Sequence, residues 1–126
     1  ADCQEKNPEF LQSYHNEYRP WGSYDVIFNS PITKIKKLKI LPKKRLSLQY
    51  HNQRNEHWFI LSGEADISID GKKYKLVPGE SINVPKKSEH YIGNSKNIEL
   101  IVIEIQTGEY FGEDDIIRLD DPYNRK

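Results

Sequence analysis

The sequence predicts an all-β fold, a sandwich or barrel of short antiparallel strands. Apolar and polar residues alternate over short segments, as half-buried strands require. Gly, Pro, Asn and Asp punctuate those segments at short intervals. No long amphipathic helix interrupts them, so a closed or two-layered β architecture is the expectation.

Residues 1–18 read as a polar N-terminal extension and residues 19–126 as the folded domain. Within the extension, Glu9 to Glu17 is the one stretch with weak helical periodicity, and His15 reads as a surface residue. Arg19-Pro-Trp-Gly22 punctuates the chain: proline biases Arg19 towards an extended conformation, and Gly22 permits a turn. Ser23–Phe28 alternates, with Tyr24, Val26 and Phe28 on one side. Thr33–Leu41 is lysine-rich, with Ile35, Leu38 and Ile40 as anchors. Its parity shift at Lys36-Lys37 predicts a bulge, and its lysines read as a solvated face.

Arg45–Tyr50, His57–Leu61 and Glu64–Ile69 follow as strands. Asp70-Gly71 predicts a two-residue hairpin turn into Lys72–Leu76. Val77-Pro78-Gly79-Glu80 fits a type II turn. Ser81–Val84 and Glu89–Ile92 are short strands, and Ile98–Ile105 is apolar enough for a central one. The tail from Thr107 is rich in acidic and aromatic groups, and its apolar content predicts that it packs back on the barrel. Two carboxylates after Gly112 suit a structural capping role for the Glu113, Asp114 and Asp115 cluster.

The chain has 126 residues, enough for one domain with a core. Nineteen basic residues balance nineteen acidic ones, which argues against a nucleic-acid partner. Cys3 is the single cysteine, so an internal disulfide is impossible and a reducing, cytoplasmic setting is expected. No apolar run reaches membrane-spanning length, and the first residues lack a signal-peptide core.

Gln49 to Gly63 carries the chemistry. His51 and Gln53 are two apart and share a face on a strand. A turn through Arg54 and Asn55 brings Glu56 or His57 back beside them, and His90 lies downstream. Imidazoles and a carboxylate converging from separate strands are what a divalent metal site needs.

These residues also resemble a known superfamily. His51 to Gly63, followed by Gly79-x5-Pro85-x4-His90-x3-Asn94, resembles the two cupin motifs. The resemblance implies a double-stranded antiparallel barrel (a jelly roll) with a metal held by His51, Gln53, Glu56 and His90. A closer similarity is to the C-terminal cupin domain of type II phosphomannose isomerases, which usually follows a mannose-1-phosphate guanylyltransferase domain. It rests on Arg19-Pro-Trp-Gly-Ser-Tyr24, Leu46-Ser-Leu-Gln49, Glu56-His-Trp58, Ser62-Gly63 and Gly108-x-Tyr-x-Gly-Glu-Asp-Asp-Ile-x-Arg118. The chain is read as that domain standing alone. It departs from the pattern at Gln53, where the family commonly has His, and at Lys87, where the second motif has Gly.

The resemblance implies a metal-dependent interconversion of mannose 6-phosphate and fructose 6-phosphate through a cis-enediolate. Zinc is the first expectation for the metal, with manganese, cobalt, nickel or iron as alternatives. Glu56, His57 and Arg54 are the catalytic candidates, His57 as base only if a bulge turns it inward. Gln49, Arg54, Tyr91, Lys87 and Arg118 are the candidates for holding a phosphosugar. The competing readings are a non-catalytic sugar- or sugar-nucleotide-binding cupin, and another cupin enzyme such as a sugar-nucleotide isomerase, an epimerase or a dioxygenase. A homodimer is compatible with the strand-rich pattern.

Overall fold

A computed structural model describes residues 15–120, 122 and 123 of the chain. Eleven strands run in order: β1 (His15–Arg19), β2 (Gly22–Asn29), β3 (Thr33–Ile40), β4 (Leu48–His51), β5 (Arg54–Ser62), β6 (Ala65–Ile69), β7 (Lys72–Leu76), β8 (Ser81–Val84), β9 (His90–Gly93), β10 (Leu100–Gly108) and β11 (Ile116–Asp120). A 3-10 turn, Glu113–Asp115, precedes β11. The six-stranded sheet is ordered β1-β2-β3-β10-β5-β8 and the five-stranded sheet β11-β4-β9-β6-β7. All the pairings are antiparallel. The fold is the double-stranded antiparallel barrel that the resemblance implies.

The turn chemistry sets the register. Asp70 and Gly71 both take positive φ (50° and 83°), as a two-residue hairpin turn demands. The Glu80 amide donates to the Val77 carbonyl at 3.0 Å and Gly79 has φ 93°, which fits the type II turn. The tail does return to the barrel, where β11 pairs with β4 from Ile116↔His51 onward.

Three local expectations are corrected. The bulge lies not at Lys36-Lys37 but between Val26 and Phe28 on β2. β3 is regular, and Lys36 shares the buried face with Leu38 and Ile40. The solvated-face reading therefore holds for Lys37 and Lys39 but fails for Lys36. The helix expected over Glu9 to Glu17 lies mostly outside the described residues. Its described part, residues 15–17, belongs to β1, which pairs with β2.

Cross-strand register explains the interior. Ile40 pairs with Leu100, and Leu38 with Val102, which pairs in turn with Ile60. One step on, Lys36 pairs with Glu104 and Glu104 with Trp58; then Lys34 pairs with Gln106 and Gln106 with Glu56. Because inward residues recur every second position, these rows stack as layers. The interior is apolar at one end, where Trp21, Ile67 and Ile92 complete the core. It turns polar at the other end, and the polar end carries the candidate site.

Candidate metal centre and cavity

β4 and β5 belong to different sheets and are joined by the short turn at Asn52-Gln53, and their alternation fixes the site. Gln49 and His51 face inward on β4, and Arg54, Glu56, Trp58 and Ile60 face inward on β5. The connecting turn is clamped from outside. The Asp115 carboxylate accepts the Asn52 amide at 3.2 Å and the Gln53 amide at 3.0 Å. The Lys87 amide donates to the His51 carbonyl at 2.6 Å. Gly108 lies opposite Arg54, and a Cβ there would come within 2.4 Å of the Gln53 carbonyl oxygen. Only glycine tolerates that approach at φ 148°.

His51, Glu56 and His90 are all buried, and each can offer one ligand atom within 4.8 Å of the others. His51 Nε2 lies 3.1 Å from Glu56 Oε2, and His90 Nε2 lies 4.0 Å from Glu56 Oε1. His90 Nδ1 is 3.0 Å from the Ser88 carbonyl oxygen. A carbonyl only accepts, so Nδ1 carries the proton and Nε2 presents its lone pair towards Glu56. Burial is the main effect on His90: it lowers the pKa and favours this neutral form, against Glu56, whose charge pulls the other way.

Arg54 is the other cation of the site. Its Nε donates to Glu56 Oε2 at 2.9 Å, and its Nη2 lies 2.9 Å from the same oxygen and 3.4 Å from His51 Nε2. Burial alone would push the Glu56 carboxyl up. The His51 hydrogen bond and the Arg54 charge outweigh it and hold Glu56 well below the usual carboxylate range.

Glu104, read only as part of an apolar strand, is a buried member of the same cavity. Its Oε2 accepts the Trp58 indole N–H at 3.1 Å, and its Oε1 accepts the Gln106 amide at 2.8 Å. Burial first, and then repulsion from Glu56, push its carboxyl up. Lys36, Arg19 and Glu113 also line the cavity and were missed as site residues. The apolar run Ile98–Ile105 hid Glu104 because both faces of that strand carry branched residues. The lysine run hid Lys36 because Lys37 and Lys39, which read the same way, are exposed.

The remaining candidates divide. Gln49, Arg54, Tyr91 and Arg118 line the cavity. Gln49 is buried, its amide donating to Ser47 Oγ at 3.0 Å, and Arg118 Nε is buried without a hydrogen-bond partner. Gln53 sits exposed in the β4–β5 turn, so its side chain is not placed with the imidazoles. Lys87 is exposed too, at φ 70°, and contributes only its backbone. His57 points the other way from Glu56, as strand alternation requires. Its Nδ1 meets Asn83 Oδ1 at 2.5 Å on the outer side of the sheet, so no bulge turns it in as a base.

Residues 6–121 match the family described as Mannose-6-phosphate isomerase C-terminal. The chain belongs to that family. It is 43% identical over 114 residues to the alginate biosynthesis protein AlgA of Pseudomonas aeruginosa, covering 90% of this chain and 24% of that protein. A mannose-1-phosphate guanylyltransferase of Klebsiella pneumoniae is 42% identical over 112 residues, covering 88% and 24% respectively. The chain thus spans about a quarter of the length of these relatives. Among solved structures, the capsular polysaccharide assembling protein CapF of Staphylococcus aureus superposes with a TM-score of 0.75 at 18% identity, covering 85% of this chain and 32% of that one. That likeness is one of fold.

The donor set fits a divalent metal: two imidazoles and one carboxylate, buried, with one imidazole fixed through its outer nitrogen. Among the described residues, no helix is long and apolar enough to cross a membrane.

Proposed function

We propose that the domain is a metal-dependent aldose–ketose isomerase that interconverts mannose 6-phosphate and fructose 6-phosphate. The observation that carries this reading is the buried His51–Glu56–His90 group at the polar end of a closed barrel, within a family named for that reaction. His51, Glu56 and His90 would hold the ion, zinc first among the candidates, with manganese, cobalt, nickel or iron as substitutes. When bound, the ion supplies positive charge that polarises a sugar carbonyl.

The chain's own residues do the rest. The Ser88 carbonyl keeps the His90 Nε2 lone pair facing the site. Arg54 neutralises the buried Glu56 carboxylate until a ligand arrives. Gln49, Tyr91 and Arg118 line the space where the sugar would lie. Glu104, buried among Trp58, Gln106 and Glu56 and lining the same cavity, takes the place of His57 as the proton-carrying candidate. The setting is read as cytoplasmic, and the pathway as precursor supply for a surface polysaccharide. The outer face of β5 exposes Phe59 and Leu61, with Ile103 paired beside Phe59, an apolar strip suited to a homodimer. Sedimentation as a monomer at working concentration would remove that part of the reading.

One observation favours a binding module instead. The Arg54 guanidinium already occupies the Glu56 carboxylate, and the cavity holds about 50 Å³, room for only a few waters. A phosphosugar must open it. Chelator-stripped protein restored with each metal in turn decides between the two. Turnover of mannose 6-phosphate that vanishes in His51→Ala supports the isomerase. Folded protein with no turnover under any metal supports the binding module.

A further inference from the structure

At the cavity wall beside the metal group, three donors converge on one carboxylate. Lys36 Nζ lies 3.5 Å from Glu113 Oε2, and the Lys36 side chain is only 5% exposed. Arg19 Nη2 lies 3.2 Å from Glu113 Oε1. The Tyr24 hydroxyl donates to Glu113 Oε2 at 2.8 Å, and Arg19 in turn donates to the Tyr24 oxygen at 3.2 Å. Lys36 Nζ also sits 4.1 Å above the Tyr24 ring. The cations are built into the barrel, on β1 and β3. The anion is not. Glu113 comes from the short turn beyond Gly112 and its side chain is 39% exposed.

A buried lysine facing a cavity is costly unless something anionic meets it. Here two cations and a phenol share the Glu113 carboxylate, which is carried on a surface segment; the other carboxylates nearby are Glu17, 3.5 Å from Arg19 Nη1, and Glu104, the cross-strand partner of Lys36. A phosphate monoester presents three strong acceptor oxygens and more charge than a carboxylate, so it satisfies the same donors better. Lys86 and Lys87, the exposed lysines of the second motif, do not line the cavity.

We propose that Arg19, Tyr24 and Lys36 form a phosphate subsite of this cavity, and that Glu113 fills it as an internal anion which a phosphorylated ligand displaces. Displacement moves the Glu113 side chain out of the wall and enlarges the space beside Glu104 and Glu56. The phosphate then anchors one end of the ligand while the sugar extends towards His51, Glu56 and His90. The class of ligand, a sugar phosphate, rests on the isomerase reading; the anion subsite does not.

The test is phosphate binding by the full chain in chelator, so that neither metal nor turnover enters. Titration calorimetry would compare inorganic phosphate, mannose 6-phosphate and mannose, with melting temperature as a second readout. Removing the internal competitor with Glu113→Gln should tighten both phosphorylated probes by roughly tenfold. Phosphate should raise the melting temperature of that variant more than that of the wild type. Lys36→Met should abolish the heat of phosphate binding, and Arg19→Gln serves the same purpose if Lys36→Met does not fold. Mannose alone should not respond to any of these changes. Unchanged or weaker phosphate binding in Glu113→Gln, or undiminished binding in the Lys36 and Arg19 variants, overturns the subsite. Phosphate binding as predicted with no isomerase turnover leaves the subsite standing and removes the isomerase; the reverse result does the opposite.

Discussion

Replacing Glu113 with Gln should destabilise the fold in a pH-dependent way. Its carboxylate accepts from Tyr24 and faces Arg19 and Lys36. Burial would raise its pKa, but those contacts hold it at about 2 against an ordinary 4.5. At about 1.4 kcal/mol per unit, a depression of that size is worth roughly 3 kcal/mol at full strength. The side chain is 39% exposed, so water screens much of this; we expect ~1–2 kcal/mol at neutral pH. The folded pKa lies below the unfolded one. The contribution is therefore complete above the ordinary carboxylate range and is lost as pH falls from 4.5 through about 2. Urea denaturation of both proteins, from neutral pH downward in steps, measures the gap. It should shrink below the ordinary carboxylate pKa and close near the bottom of the range. Equal stability at neutral pH, or a gap that stays constant on acidification, would refute the argument.

Two other substitutions probe the β4–β5 turn that builds the site. Asp115→Ala orphans the Asn52 and Gln53 amides and should cost ~1–3 kcal/mol. It should also weaken metal binding by loosening His51, and an unchanged denaturation midpoint with unchanged affinity would contradict the clamp. Gln53→Ala should leave metal affinity within about twofold of the wild type, because the exposed Gln53 side chain lies outside the buried group. A tenfold loss on metal titration would return Gln53 to the ligand set.

Most strand segments and the turns between them were legible because glycine and proline act locally. Asp70-Gly71 and Pro78-Gly79 specify their turns whatever surrounds them. Period-two alternation also separated Glu56 from His57, and the structure keeps them on opposite sides of β5. What sequence did not reveal depends on neighbours from distant strands. Lys36 is buried because Glu104 and Glu113 meet it from β10 and the C-terminal turn. Nothing within the run Thr33–Leu41 carries that information. Gln53 was placed with the imidazoles by its spacing from His51, but β4 ends at His51. The face rule does not extend into the turn that Asp115 shapes. The strand β1 was hidden for a related reason: its pairing with β2 is a sheet-edge event, and His15–Arg19 has little apolar pattern of its own.

Zinc content after equilibrium dialysis, measured on the wild type and on His90→Ala, tests the metal centre most directly. The account predicts one zinc per wild-type chain and none in the variant, with the variant still folded. A wild type that takes up no divalent metal, or a His90→Ala protein that keeps its full complement, would contradict it.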